Sequence, residues 1–211
     1  MVQIFVFILF FSLSVQAFAF ERDNWRYHGV VGPCLGDCAV SIFGGLDSQN
    51  SMLSFFTEIP PWEWSFGEDY IVGGAVSRRI LSFRDAVHLE PEIGIAQRFG
   101  QQDETEIWVA LYFRYSAFPW NDFIYTTVAI STGINYATGI SEKEAAKARY
   151  TGTTDGNRLL HYLAPEITFA LPNHRDKELF FRYHHRSGAF GLVSETEGGA
   201  QYGTVGFRFR F

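Results

Sequence analysis

Beyond its first twenty residues, this chain of 211 residues lacks an apolar run as long as the ~20 residues that a transmembrane helix requires. It also lacks an excess of positive charge: the formal net charge is −6, which argues against a nucleic-acid partner because such a partner requires a basic face. The chain has only two cysteines, Cys34 and Cys38, and with few ligands near them we predict no metal site. An oxidising compartment would permit a small disulfide between them.

The N-terminus is an uninterrupted apolar stretch that ends in "AFA" at residues 17–19, the small-x-small pattern that a signal peptidase recognises. No lysine or arginine precedes Arg22, so the usual basic region is missing. A retained anchor is the alternative, but the apolar run is short for a membrane-spanning helix. We therefore predict a signal peptide over residues 1–19, an N-terminal periplasmic segment over residues 20–37, and one domain over residues 38–211.

The rest of the sequence is rich in aromatic residues, which make up 18% of the chain, and its polarity alternates along one segment after another. In "IWVALYFRY", for example, Ile107 and Val109 share one face, and Arg114 lies on the other. An alternation of period two indicates β-strands rather than helices. Repeated strands of this kind, in an exported and aromatic-rich chain, are typical of a transmembrane β-barrel with aromatic girdles.

Eight segments alternate in this way, and we predict an all-β fold, an eight-stranded antiparallel transmembrane β-barrel. The predicted strands lie near residues 38–45, 69–80, 86–99, 105–116, 122–134, 158–170, 178–187 and 200–211. An even number of strands closes the sheet without edges and leaves both chain ends on the periplasmic side. The long connections, at residues 46–68, 135–157 and 188–199, are then extracellular. Within the second of them, "SEKEAAKARY" predicts a short helix.

The polar faces of the predicted strands carry many charged side chains. A narrow barrel of eight strands has a lumen that is filled by side chains. The residues predicted to fill it are Glu90, Glu92, Arg98, Arg114, Glu166, Arg182, His184, Arg186, Arg208 and Arg210. We interpret them as a structural plug of paired charges, because an unpaired charge in the lumen would be expensive to bury. A pore for solutes is therefore not expected.

The seventh predicted strand, "ELFFRYHHRS", combines lipid-facing aromatic residues with a histidine and a serine. Phe181 and Tyr183 lie on the lipid face, so by parity His185 and Ser187 lie there too, while His184 points into the lumen. A polar pair on a lipid face is costly and therefore suggests a function. A histidine two residues from a serine could take the serine proton for attack on an ester. The alternative is an interfacial pair without a chemical role, since aromatic belts tolerate amphipathic side chains.

The last 27 residues, "HRSGAFGLVSETEGGAQYGTVGFRFRF", resemble the outer-membrane lipid A 3-O-deacylase (PagL-type, acyloxyacyl-hydrolase-like) family. The rest of the chain is similar in architecture only. The resemblance implies that Ser187 is the nucleophile, that His185 is the base, and that a glutamate at the start of the last strand orients the histidine. Alignment from the C-terminus without gaps puts Gln201 at the position of that glutamate.

Two positions depart from the family pattern. Gln201 could hold an imidazole through its amide carbonyl but could not offset a forming imidazolium with charge. Glu197, in the preceding loop, could supply that charge if the loop folds back. Gly188 stands where the family tends to carry an asparagine that donates to the oxyanion, so an oxyanion hole here would use backbone N–H groups near Gly188.

We therefore predict an outer-membrane serine esterase of a bacterial cell, which removes an ester-linked acyl chain from lipid A or a related lipid. Its partners would be lipopolysaccharide and the outer membrane, and no metal or organic cofactor is implied. The alternative is a non-catalytic small outer-membrane barrel with a structural or adhesion role. The remaining histidines, His28, His88, His161 and His174, are scattered along the sequence without evident partners.

Overall fold

The computed structural model describes residues 24–58, 60–150, 152, 156–189, 192–196 and 199–211. The predicted signal peptide, residues 1–19, lies outside these ranges, so its assignment stays a prediction. Within these ranges, no helix is both long and apolar enough to span a membrane.

The described residues form mostly β-strands, and the helices lie in the connections between them. The first strands are β1 (Trp25–Tyr27), β2 (Cys38–Ser48), β3 (Phe66–Arg78), β4 (Leu81–Phe83), β5 (Val87–Phe99) and β6 (Thr105–Tyr115). They are followed by β7 (Tyr125–Ala137), β8 (Leu159–Leu163), β9 (Glu166–Ala170), β10 (Lys177–Ser187) and β11 (Gln201–Arg210). Helix α1 (Met52–Thr57) and a 3₁₀ turn (Pro61–Glu63) connect β2 to β3, and helix α2 (Glu142–Tyr150) connects β7 to β8. The short helix predicted between residues 135 and 157 is thus confirmed.

The sheet closes on itself through the last strand. β11 pairs antiparallel with β10 on one side and with β2 on the other, from Ala39 opposite Arg210 to Asp47 opposite Tyr202. β8 and β9 together occupy a single position between β7 and β10, with Pro165 at the break. Each remaining barrel strand pairs with its neighbours in sequence. The prediction of a closed, eight-stranded antiparallel barrel is confirmed.

Two short strands, β1 and β4, extend the barrel sheet at one end, where β4 pairs with β5, and both lie outside the predicted set. Trp25 of β1 pairs with Phe83 of β4, and their rings lie 4.8 Å apart. A disulfide joins Cys34 to Cys38 beside this sheet, as an oxidising compartment permits. Strands of three residues are too short to show an alternating pattern, which is why the sequence did not predict them.

A chain of polar side chains links β1 and β4 to the barrel, in addition to the backbone pairing of β4 with β5. The His28 imidazole bonds to the Asp37 carboxylate at 3.1 Å and to the Ser82 hydroxyl at 2.8 Å. Ser82 also contacts His88 at 2.9 Å, and His88 contacts Ser116 at 2.9 Å. The interpretation of His28 and His88 as lacking partners was therefore wrong, because these partners come together only through the pairing of β1, β4 and β5.

The lumen contains a network of paired charges centred on Arg182. Its guanidinium donates to Glu92 at 2.8 and 2.9 Å and to Glu166 at 2.9 Å, and all three side chains are buried. Arg208 donates to the same Glu166 at 2.8 Å and to Glu178 at 3.0 Å. The prediction of a polar plug is confirmed, with Glu178 as an additional member.

We predict that Arg182→Ala lowers the stability of the barrel by about 3–5 kcal/mol, because it leaves Glu92 and Glu166 buried without this partner. Arg26→Ala is the matched control, since the Arg26–Asp85 pair is exposed and such pairs contribute little. The measurement is the temperature at which the folded band is lost in a heat-modifiable gel shift. Equal melting of the two variants would contradict the plug.

Candidate active site

The C-terminal end of β10 carries the histidine and serine singled out in the sequence. Side chains alternate along this strand, with Arg182, His184 and Arg186 buried in the lumen. His185 and Ser187 occupy the alternate positions on the outer face, and both are partly buried. The two neighbouring histidines therefore lie on opposite sides of the barrel wall.

The lumen histidine is held by polar groups on two other strands. The His184 imidazole contacts the Glu106 carboxylate through Nε2, and its Nδ1 atom lies 3.1 Å from the Tyr162 hydroxyl. Glu106 also pairs with Arg98. These contacts make His184 part of the plug, in agreement with the sequence prediction.

Gln201 is the direct cross-strand neighbour of His185 on β11. Its amide nitrogen donates to the carbonyl of Ser48 at 3.2 Å and to that of Asn50 at 2.8 Å. Since a carbonyl can only accept, these bonds fix the amide orientation and leave the Gln201 Oε1 atom as an acceptor for other donors. The Gln201 side chain approaches His185, but the buried Nδ1 atom of His185 has no hydrogen-bond partner among the described residues. Gln201 therefore lies beside His185, but no hydrogen bond joins its side chain to the His185 Nδ1 atom.

Glu197, the other residue predicted to orient His185, lies outside the described residues, so its role stays a prediction. Glu195, two positions earlier in the same connection, is exposed.

The connection between β2 and β3 covers the outer face of β10 next to the site. Tyr183 is on that face, yet it is only 2% exposed, and its hydroxyl donates to the Asn50 carbonyl at 2.9 Å. The rings of Tyr183 and His185 are stacked with centroids 6.3 Å apart. His185 thus lies in a cleft beneath residues 48–50 rather than on an open wall. Sequence reasoning missed this cover, because nothing in the pattern shows where a long connection folds.

An apolar groove of about 740 Å³ begins at Tyr183, the residue that precedes His185 on the outer face of β10. Gly44 and Gly203 form part of its floor, where the missing side chains leave a depression in the wall. Trp64, from the covering connection, lines it as well. The groove has the volume and polarity to accept an apolar chain.

Close backbone packing surrounds the end of β10. A Cβ atom at Gly188 would lie 2.0 Å from the Thr196 carbonyl oxygen and 2.4 Å from that of Ser194, so only glycine fits there. The packing therefore requires a glycine directly after Ser187. The Gly188 N–H has no hydrogen-bond acceptor among the described residues. The Ser187 hydroxyl likewise makes no hydrogen bond within them.

A third histidine belongs to this surface. His161 on β8 is the cross-strand partner of Ser187, and its Nε2 atom lies 2.9 Å from the Thr132 hydroxyl. The interpretation of His161 as isolated was therefore wrong. The contact follows from the cross-strand register of β8 with β7 and β10, which the sequence pattern does not show.

The closed barrel and its outer-face site place the chain in the fold class of eight-stranded transmembrane β-barrels. No protein-family model matches the sequence, and no curated protein matches it. The structure is similar to the crystal structure of the outer membrane enzyme PagL, with a TM-score of 0.54 and 14% identity, over 82% of this chain and 99% of that one. At this identity the similarity concerns the fold.

Two further solved barrels are similar in outline. Neisserial surface protein A matches with a TM-score of 0.48 and 10% identity, over 83% of this chain and 97% of that one. A designed transmembrane β-barrel matches with a TM-score of 0.45 and 12% identity, over 83% of this chain and 96% of that one.

We predict that Gln201→Glu loosens the cover over His185, because it replaces a donor with a carboxylate facing the carbonyls of Ser48 and Asn50. Limited chymotrypsin digestion of the folded barrel should then cut faster within residues 49–65. Tyr183→Phe is the control, since it removes one bond to Asn50 without adding charge and should have a smaller effect. Cleavage of Gln201→Glu at the wild-type rate would contradict the assigned contact.

Proposed function

We propose that this protein is an outer-membrane serine esterase that removes an ester-linked acyl chain from lipid A or a related lipid. The observation that supports it most is a histidine and a serine, His185 and Ser187, on the outer face of the barrel beside an apolar groove.

The outer face explains why such a pair suggests chemistry. It exposes large apolar side chains, among them Val40, Ile42, Val109, Ile130, Val205 and Phe207. In a membrane barrel this face contacts lipid, where polar side chains are costly. Packing gives no reason for a histidine beside a serine there, and hydrolysis of a lipid ester does.

The proposed reaction begins when the Ser187 hydroxyl oxygen attacks the ester carbonyl carbon while His185 accepts the hydroxyl proton. The resulting oxyanion accepts a hydrogen bond from the Gly188 backbone N–H. Collapse of this intermediate breaks the bond to the alcohol oxygen, which leaves with the proton from His185. Water, deprotonated by the same histidine, then releases the fatty acid and restores Ser187. Gln201 orients His185 through its amide oxygen.

The surroundings suit a substrate with one apolar and one polar end. The apolar groove next to Tyr183 would hold the acyl chain. A polar cavity of about 270 Å³ lies on the opposite side of the site, lined by Gln201, Lys143 and Lys147. Lys143 pairs with Asp47 there, so the cavity presents both charges to a polar headgroup. Lipid A, with acyl chains on a phosphorylated sugar, has this polarity.

The neutral side chain of Gln201 favours a second candidate, a non-catalytic barrel with a structural or adhesion role. In a serine hydrolase a carboxylate at this position would stabilise the imidazolium that forms during attack. The unpartnered Nδ1 atom of His185 is consistent with this alternative too.

We predict that Ser187→Ala and His185→Ala each lower ester hydrolysis by at least about 10³-fold, because each removes a group that takes part in attack. Both should keep the heat-modifiable gel shift, since neither side chain belongs to the lumen network. The measurement is fatty acid release from lipid A in detergent micelles, followed by mass spectrometry.

His184→Ala is the matched control for this experiment. It removes an adjacent imidazole from the other side of the wall, so it should lower stability but spare hydrolysis by the folded fraction. Full activity in His185→Ala would contradict its role as the base, and a wild-type barrel without hydrolysis would favour the non-catalytic candidate.

A further inference from the structure

We propose that His161 is a further catalytic residue of this site, which donates a hydrogen bond to the oxyanion formed when Ser187 attacks the ester. The inference rests on the proposed esterase function and adds a residue from a neighbouring strand, 26 positions before the serine in the sequence.

The ladder between β8 and β10 sets the position of His161. It pairs directly with Ser187, and residues paired in an antiparallel ladder point to the same face with Cβ atoms about 4.5–5.5 Å apart. The two histidines His161 and His185 are also close enough to interact electrostatically. Ser187 therefore has one imidazole along its own strand and a second across the strand pair.

Thr132 on β7 determines which ring nitrogen of His161 is available. Its hydroxyl lies 2.9 Å from the Nε2 atom of His161 and has no other hydrogen-bond acceptor among the described residues. The hydroxyl proton is satisfied on this apolar face if Thr132 donates to Nε2, which leaves the ring proton on Nδ1. A neutral imidazole that donates from its remaining N–H can polarise a carbonyl oxygen during catalysis.

The need for such a donor follows from Gly188. The residue after the nucleophile has no side chain to contribute, and packing against Ser194 and Thr196 excludes one. The site then has the backbone N–H of Gly188 on one side of the reacting carbonyl. His161 would supply the second donor from the opposite strand, while His185 keeps the role of base.

The test uses initial rates of fatty acid release from lipid A in detergent micelles. We expect His161→Ala to lower kcat by about 10²–10³-fold, the usual loss for one oxyanion donor, while KM changes by less than about threefold. His161→Gln retains a side-chain N–H and should recover roughly tenfold of that loss. Thr132→Val removes the hydroxyl that fixes the ring and should give an intermediate loss.

Ile134→Ala is the matched control, because Ile134 is the neighbour of His161 on β7 and carries no donor. It should keep kcat within about twofold of wild type. A heat-modifiable gel shift verifies that each variant is folded, and Thr132→Val tests the same donor if His161→Ala fails to fold.

The outcomes separate this inference from the esterase proposal. If Ser187→Ala is inactive but His161→Ala and Thr132→Val keep wild-type kcat, the role of His161 is overturned and the esterase stands. A raised KM with unchanged kcat, or equal inactivity of His161→Ala and His161→Gln, also overturns the donor role. If the wild-type barrel shows no hydrolysis that depends on Ser187, both proposals fail.

Discussion

Closure of the sheet by the pairing of β11 with β2 is the constraint on which the rest of this structure depends. A closed barrel pairs the backbone groups that an open sheet edge would leave exposed to lipid. It also fixes the face of every residue, since a shift of one position would move each side chain across the wall. His184 is therefore in the lumen, and His185 is on the outer face.

Polar side chains lie on both sides of the barrel wall. In the lumen, Glu166 is shared by Arg182 and Arg208, so burial is offset by pairing. On the outer face, the Nδ1 atom of His185 is buried without a partner, and the Ser187 hydroxyl makes no hydrogen bond among the described residues. Asn135, Arg186 and Tyr202 also have buried polar atoms without a hydrogen-bond partner among the described residues, so the case for a site at His185 rests on its position beside Ser187 on the outer face.

The alternating pattern predicted the strands and the faces because both depend on local sequence. The same pattern also predicted the polar residues of the plug, including Arg182 and His184. The contacts of His161 and the anchoring of Gln201 to Asn50 could not be predicted in this way. They depend on cross-strand register and on where a long connection folds, and neither leaves a periodic signal. β1 and β4 were missed because three residues do not establish a period.

The most direct test of the central claim, that the outer-face pair is a catalytic site, is covalent trapping of the nucleophile. The folded barrel would be treated in detergent micelles with a lipid-like fluorophosphonate ester, and the modified peptide would be identified by mass spectrometry. The account predicts one adduct, on Ser187, which disappears in His185→Ala because the serine is no longer activated. An unmodified Ser187 in the folded wild-type protein, or an adduct that persists unchanged in His185→Ala, would contradict it.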